Sequence, residues 1–221
     1  MNKKKIIVDP NRPLPPELAK EYWETSAKLI LEKFFPERFF DLSVEGEKPD
    51  LRNKTTGVEV TSAEDRESQE MDSLYSRQYT YGSSKQKEKA LERIEELGGR
   101  AEKYCLAHPG KSRDLSKIYY AVKRKMKKLN TNYYVFSRNY LFIYDSCFIL
   151  DQELPEILSA MSDSSADYKI KFDSIFLYCF GGDLYEFDLR NNTYTHINDS
   201  SKIVQQLIID ARDLINKKYK G

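Results

Sequence analysis

Pro49-Asp50-Leu51-Arg52-Asn53-Lys54-Thr55-Thr56-Gly57-Val58-Glu59-Val60-Thr61 is the most informative stretch of this 221-residue chain. Val58 to Thr61 alternates with a strict period of two, the pattern of a strand. Successive side chains on a strand point to opposite faces, so Val58 and Val60 share one face while Glu59 and Thr61 share the other. Asp50 lies on a preceding short strand, residues 49–52, joined by the turn Asn53-Lys54-Thr55-Thr56-Gly57. Two carboxylates can therefore converge from neighbouring strands. Paired hard oxygen ligands suit Mg²⁺ (or Mn²⁺), an ion that keeps several of its waters for phosphate chemistry. A carboxylate between two core valines is also costly unless it is paired or bound to metal.

Outward from this stretch, the pattern predicts an alternation of helices and strands. Pro15-Pro16 opens a helix over residues 17–35, which Pro36 ends. Residues 39–44 alternate as a strand. Residues 62–106 are helical in composition, broken at Tyr81-Gly82-Ser83-Ser84 and at Gly98-Gly99. Residues 114–129 are a strongly periodic helix and residues 152–161 another. Residues 140–144 and 175–180 are apolar runs of strand length. Residues 184–189 and 193–197 form a hairpin about Asn191-Asn192. Residues 200–219 close the chain as a helix, capped by Ser200 or Ser201. The expected architecture is a mixed α/β (α+β) fold, a central mixed sheet flanked by helices with a C-terminal strand pair and helix. After a proline-rich lead-in over residues 1–16, residues 17–221 read as a single domain.

Composition narrows the classes of function. Hydrophobic residues make up 40% and charged residues 32%, enough apolar material for a packed core. No apolar run is long enough to span a bilayer, so no membrane partner is expected. Residues 1–16 have a basic cluster but no apolar stretch of a secretory signal. Cys105, Cys147 and Cys179 are odd in number and lack a CxxC spacing, which fits reduced thiols in a cytoplasmic protein. With only His108 and His196, multi-histidine metal sites are excluded and Ser-His catalysis is disfavoured.

With Pro49-Asp50 and Glu59-Val60-Thr61 set among a helix and three short strands, residues 17–145 resemble the PD-(D/E)XK nuclease superfamily, the restriction-endonuclease-like fold. The resemblance implies a metal-dependent hydrolysis of phosphodiester bonds in nucleic acid, DNA before RNA. It makes Asp50 and Glu59 metal ligands and assigns a lysine two residues after the glutamate to the attacking water. Here that position is Thr61. Relocation of the lysine to a nearby helix is known in such families. On the helix of residues 114–129, Lys125 sits at the edge of the apolar arc of Leu115, Ile118, Val122, Met126 and Leu129, and is the candidate surrogate. Lys85 and Lys87 are weaker candidates. Glu24-Thr25-Ser26-Ala27 resembles the Glu-x-x-Ala pattern of resolvase-like members, which makes Glu24 a third metal ligand, with Glu21 the runner-up.

Residues 111–138 hold nine basic residues and one acidic, Asp114, a net +8 hidden in a whole-chain charge of +1. Lys123, Arg124 and Lys127 lie opposite the apolar arc of that helix and Lys128 further round, and these four, with tyrosines interleaved, make a pattern suited to a phosphate backbone. Residues 105–112 end like a phosphate-binding loop, but Cys105 replaces the first glycine and a helical run precedes it, so an NTPase site is rejected. The competing reading is a degraded nuclease-fold module that binds nucleic acid or protein without hydrolysis. A third is an unrelated domain in which Glu59 pairs with a buried basic residue. The oligomeric state is open, a homodimer among the options.

Overall fold

Alternation along three central strands sends apolar side chains to both faces of a sheet, and amphipathic helices cover each face. The computed structural model describes residues 8, 12–44, 49–80, 83–102, 105–109, 114–131, 134–146, 148–179, 182–197 and 200–220. In chain order the first elements are α1 (Pro16–Phe34), α2 (Pro36–Phe39), β1 (Ser43–Val44), β2 (Leu51–Arg52) and β3 (Thr56–Ser62). Next come α3 (Arg66–Thr80), α4 (Ser84–Glu96), β4 (Arg100–Glu102), β5 (Cys105–Ala107) and α5 (Ser116–Leu129). Then follow β6 (Arg138–Asp145), a 3₁₀ turn (Asp151–Glu153), α6 (Leu154–Ser165), β7 (Ser174–Cys179), β8 (Leu184–Asp188), β9 (Thr193–His196) and α7 (Ser200–Lys218).

Seven strands form one mixed sheet in the order β1-β2-β3-β6-β7-β8-β9. Strands β3, β6 and β7 run parallel, with Glu59 beside Leu141 and Leu141 beside Ile175. The outer strands are antiparallel hairpin partners. The mixed α/β class expected from the sequence is the class observed.

Contacts divide the chain into two units, Trp23–Glu64 with Arg113–Ile209, and Met1–Tyr22 with Asp65–Ser112 and Asp210–Gly221. The sequence reads as a single domain over residues 17–221 because residues 65–112 are one insertion between β3 and α5, with no linker composition at either end. The first unit holds the seven-stranded sheet. On one face, Leu141, Ile143, Ile175 and Leu177 pack with Ile118, Val122 and Met126 of α5 and with Ile157 and Met161 of α6. On the other, Val58, Tyr140, Phe142, Phe176 and Tyr178 pack with Ala27, Ile30 and Leu31 of α1 and Val204 of α7.

The second unit contains α3, α4, the β4–β5 hairpin and the outer ends of α1 and α7. Val8, Leu14, Leu18 and Ile215 form its small apolar cluster, so two residues of the lead-in are packed. Glu21 accepts from Lys218 Nζ at 2.5 Å and from the Tyr219 hydroxyl at 2.7 Å.

Two expected elements differ. Phe39 belongs to the short helix α2, because Pro36 starts a new turn and Phe39 is buried against the rings of Phe35, Tyr140 and Phe176. Only Ser43–Val44 of the expected strand over 39–44 is extended. Residues 100–102 and 105–107 pair as antiparallel strands where helical composition predicts helix through residue 106. The cause is the end of α4: Gly98 N–H donates to Glu95 O and Gly99 N–H to Ile94 O, with Gly98 at φ +79°. That Schellman arrangement stops the helix and releases the chain in an extended direction. A strand, not a helix, thus precedes His108, but Cys105 still replaces the first glycine of a phosphate-binding loop, and residues 110–113 lie outside the described residues. Cys147, Tyr133, Lys111, Arg113 and the turn of residues 45–48 also lie outside them. Among the described residues, no helix is long and apolar enough to cross a membrane.

Candidate active site

The register of β2 on β3 pairs Leu51 with Val58 and Arg52 with Gly57. Asp50, one residue before β2, therefore comes level with Glu59. Val58 is in the core shared with α1, so alternation turns Glu59 toward the opposite face, the one covered by α5. Helix α5 lies there because Ile118, Val122, Met126 and Leu129 are all buried. Lys125, between Val122 and Met126, is carried inward with them and is 7% exposed.

The Lys125 ammonium sits among three oxygens. It donates to Glu59 Oε2 at 2.6 Å and to the Val60 carbonyl at 2.8 Å, and lies 3.6 Å from Asp50 Oδ2. Asp50 Oδ2 in turn accepts the Val60 N–H at 2.8 Å, which fixes that carboxylate against the strand. Asp50, Glu59 and Lys125, proposed from sequence as one site, are brought together. Glu59 Oε1 is buried and has no hydrogen-bond partner among the described residues.

Burial pushes the Glu59 carboxyl above its ordinary value near 4.5; Lys125 opposes the shift and the Asp50 charge adds to it. A carboxyl held above its unfolded value binds more protons in the folded state than in the unfolded state at intermediate pH. Stability from this group is complete below about pH 4.5 and is lost as pH rises through the raised value. Urea unfolding of wild type and Glu59→Gln is thus expected to diverge with pH, the wild type losing stability relative to the variant above pH 4.5. Parallel curves between pH 4 and pH 8 would refute this assignment.

Two basic neighbours complete the surroundings. Arg124 Nη2 donates to Thr61 Oγ1 at 2.7 Å, so a guanidinium from α5 reaches the position the motif reserves for lysine. Lys128, one turn beyond Lys125, has its pKa lowered, first by the Lys125 charge and then by burial. Both were read from sequence only as members of a basic face. The use of both main-chain groups of Val60 has no side-chain signal and was not legible at all.

Other sequence candidates lie elsewhere. Glu24 is buried on α1, whose Ala27, Ile30 and Leu31 pack on the Val58 face of the sheet, across from Glu59. Among the described residues, no group of three or more His, Cys, Asp and Glu side chains can hold a metal ion. Glu24 therefore does not complete a carboxylate set with Asp50 and Glu59; it borders the apolar arc of Trp23, Ala27 and Leu31 on α1, and that arc packs on the Val58 face of the sheet. Glu21 is engaged by Lys218 and Tyr219. Lys85 and Lys87 are exposed on α4, in the other unit.

Two hard carboxylates meet at Lys125, and one buried oxygen of Glu59 has no hydrogen-bond partner among the described residues. A cation held by so few protein ligands would be of the Mg²⁺ kind, which uses one or two carboxylates and keeps waters, rather than an ion caged wholly by protein. No protein-family model, curated protein or solved structure matches the chain.

Proposed function

We propose that the protein is a metal-dependent phosphodiesterase acting on nucleic acid, with Asp50, Glu59 and Lys125 as its centre. The carrying observation is the convergence of two buried carboxylates on one lysine, with Glu59 Oε1 left open. Asp50 and Glu59 would hold Mg²⁺ or Mn²⁺, which when bound lowers the pKa of a water and polarises the phosphoryl oxygen. Asp50 is oriented by the Val60 N–H, so its position does not depend on the cation. Lys125 supplies a fixed positive charge where negative charge develops on the phosphorane, and burial strengthens that interaction. The test is plasmid nicking: Mg²⁺-dependent conversion of supercoiled DNA by wild type, and its loss in Glu59→Ala. Wild type that never nicks DNA or RNA with Mg²⁺ or Mn²⁺ contradicts the reading.

The basic face of α5 supports a nucleic-acid substrate, DNA before RNA. Lys123, Arg124, Lys127 and Lys128 are exposed, and Tyr120 and Tyr134 expose about 70% of their surface for stacking. Each phosphate contact contributes about 0.9 to the slope of log K against log salt on duplex DNA. The triple variant Lys123→Gln, Lys127→Gln, Lys128→Gln is expected to bind duplex DNA more weakly and to lower that slope by about 2 to 3. Fluorescence anisotropy across a salt series measures it; an unchanged slope removes α5 from the interface.

One observation favours a second reading. The 2.6 Å pair of Lys125 with Glu59 is itself a satisfied buried ion pair, so the site also fits a module that binds nucleic acid without cleaving it. Such a module would retain binding and its salt dependence with no nicking under any cation. The buried Cys179 suits the reducing cytoplasm in which either activity would operate.

A further inference from the structure

A polar pocket of about 430 Å³ opens in the sheet-bearing unit, at the start of β3, β6 and β7. Thr56, Tyr140 and Ser174 line it and share a face with Val58, by alternation and by the pairing of Val58 with Tyr140 and Tyr140 with Ser174. It therefore lies on the face opposite Glu59 and Lys125. None of Asp50, Glu59 and Lys125 lines it.

By formal charge the lining is balanced, with Arg38, Arg138 and Arg190 against Glu37, Asp173 and Asp188. Their partners decide which of these charges face an open side. Arg38 grips both oxygens of Glu186 at 2.6 and 2.8 Å and lies 4.5 Å over the Phe35 ring, so it is occupied. Asp188 keeps its charge: Oδ1 accepts the main-chain N–H groups of Arg190 and Asn191, and Oδ2 accepts the Asn191 amide, all neutral donors. Asp173 Oδ2 accepts the Asn139 N–H at 2.8 Å. Its Oδ1 alone faces two guanidiniums, Arg138 Nη1 at 3.3 Å and Arg190 Nη2.

At that oxygen one carboxylate meets two guanidiniums, so the charge at this point is positive, while Glu37 and Asp188 keep their negative charges elsewhere in the lining. Asp173 is 10% exposed, but Arg138 and Arg190 are 50% and 57% exposed. Each guanidinium carries five donors, and these contacts with Asp173 use one nitrogen of each. The remaining donors of two adjacent planar forks are the geometry that recognises a phosphate in preference to a single charge. Glu37 is exposed at the first turn of α2 and also lines the pocket. It disfavours a second anionic group and can accept from hydroxyl or amino groups. The volume is in the range of small-molecule sites, about 300–1,000 Å³.

We propose that this pocket binds a phosphate monoester of mononucleotide size, its phosphate held between Arg138 and Arg190. Thr56 and Ser174 form the floor, and the uncharged part of the ligand lies toward Glu37. The site does not depend on the proposed hydrolytic function.

Isothermal titration of the full chain with AMP, with inorganic phosphate and with adenosine tests it. AMP is expected to bind saturably, and binding to fall at least tenfold in Arg190→Gln, with a larger loss in Arg138→Gln/Arg190→Gln. Arg190 is more than half exposed, so the single variant keeps the fold, and its unliganded melting temperature checks this. Inorganic phosphate that competes with AMP supports the phosphate as the recognised group, and equal affinity of the two identifies the free anion as the ligand. The proposal is overturned if neither ligand saturates below about 10 mM, weaker than any affinity of about −3 kcal/mol. It is equally overturned if adenosine binds as tightly as AMP, or if the arginine variants bind AMP as wild type does.

Discussion

Lys125→Met is expected to destabilise the protein by about 3–5 kcal/mol at neutral pH, the cost of leaving a buried charge without its partner. The substitution keeps the length and most of the volume of the side chain, so the effect is electrostatic rather than a cavity. Three oxygens lose their donor at once: Glu59 Oε2, the Val60 carbonyl and, at longer range, Asp50 Oδ2. Glu59 then has neither oxygen paired among the described residues, since Oε1 has no partner to begin with. The double variant Glu59→Gln/Lys125→Met is expected to recover most of that loss, because it removes the charge along with its counterion. The loss should also shrink on acidification, as Glu59 takes up a proton at its raised pKa. Urea unfolding of the two single variants and the double, arranged as a double-mutant cycle, gives the coupling energy directly. A loss below about 1 kcal/mol for Lys125→Met would mean the pair behaves as a surface salt bridge, not a buried one.

Glu59→Ala is expected to lower Mg²⁺-dependent nicking by on the order of 10³-fold or more, since a bound cation contributes several kcal/mol of charge stabilisation. Lys125→Met should lower it by about 10²- to 10³-fold, the range for removing one fixed donor at a developing anion. These losses alone do not separate a catalytic lysine from a structural one, because Lys125→Met also weakens the fold. Thr61 supplies the separation. It lies on the same face of β3 as Glu59, two residues along, where the motif places its lysine. Thr61→Lys in the Lys125→Met background is expected to restore part of the nicking while leaving stability low. Recovery of stability without nicking, or of neither, would assign Lys125 to the ion pair alone. Arg124, now bonded to Thr61 Oγ1, is exposed and free to turn outward in that variant.

The convergence at Asp50 and Glu59 was legible because it needs only local information. A period of two sends Glu59 away from the valines, and a turn of a few residues between two strands leaves little choice of register. Lys125 was legible for a related reason: a helical period of 3.6 places it beside Val122 and Met126, and burying those residues draws the lysine inward. Glu24 was misplaced by the same kind of reasoning. Its period marks it as buried, and it is, but periodicity does not say which face of the sheet α1 covers. The strand pair of residues 100–102 and 105–107 was missed because its residues are acceptable helix formers. Only the Gly98 cap, in a left-handed conformation that glycine tolerates, ends α4 and sets the next residues extended.

The whole-chain charge of +1 divides in a similar way. The net +8 of residues 111–138 is a matter of counting, and its helical placement follows from period alone. The meeting of Arg138 and Arg190 at Asp173 cannot be read from sequence. It arises because Asp173, Arg138 and Arg190 come from three separate segments of the chain and meet at one carboxylate oxygen.

By itself, then, the amino-acid sequence determined the strands and helices with strong periodicity, the mixed α/β class, and the pairing of Asp50 with Glu59, since each depends on residues within a few positions of one another. Tertiary structure alone decided which face each helix covers, the division into two units, the role of the Val60 main chain and the two-arginine pocket. Those features depend on contacts across long sequence separations, where a side chain's partner is set by sheet order and layer rather than by its neighbours in the chain.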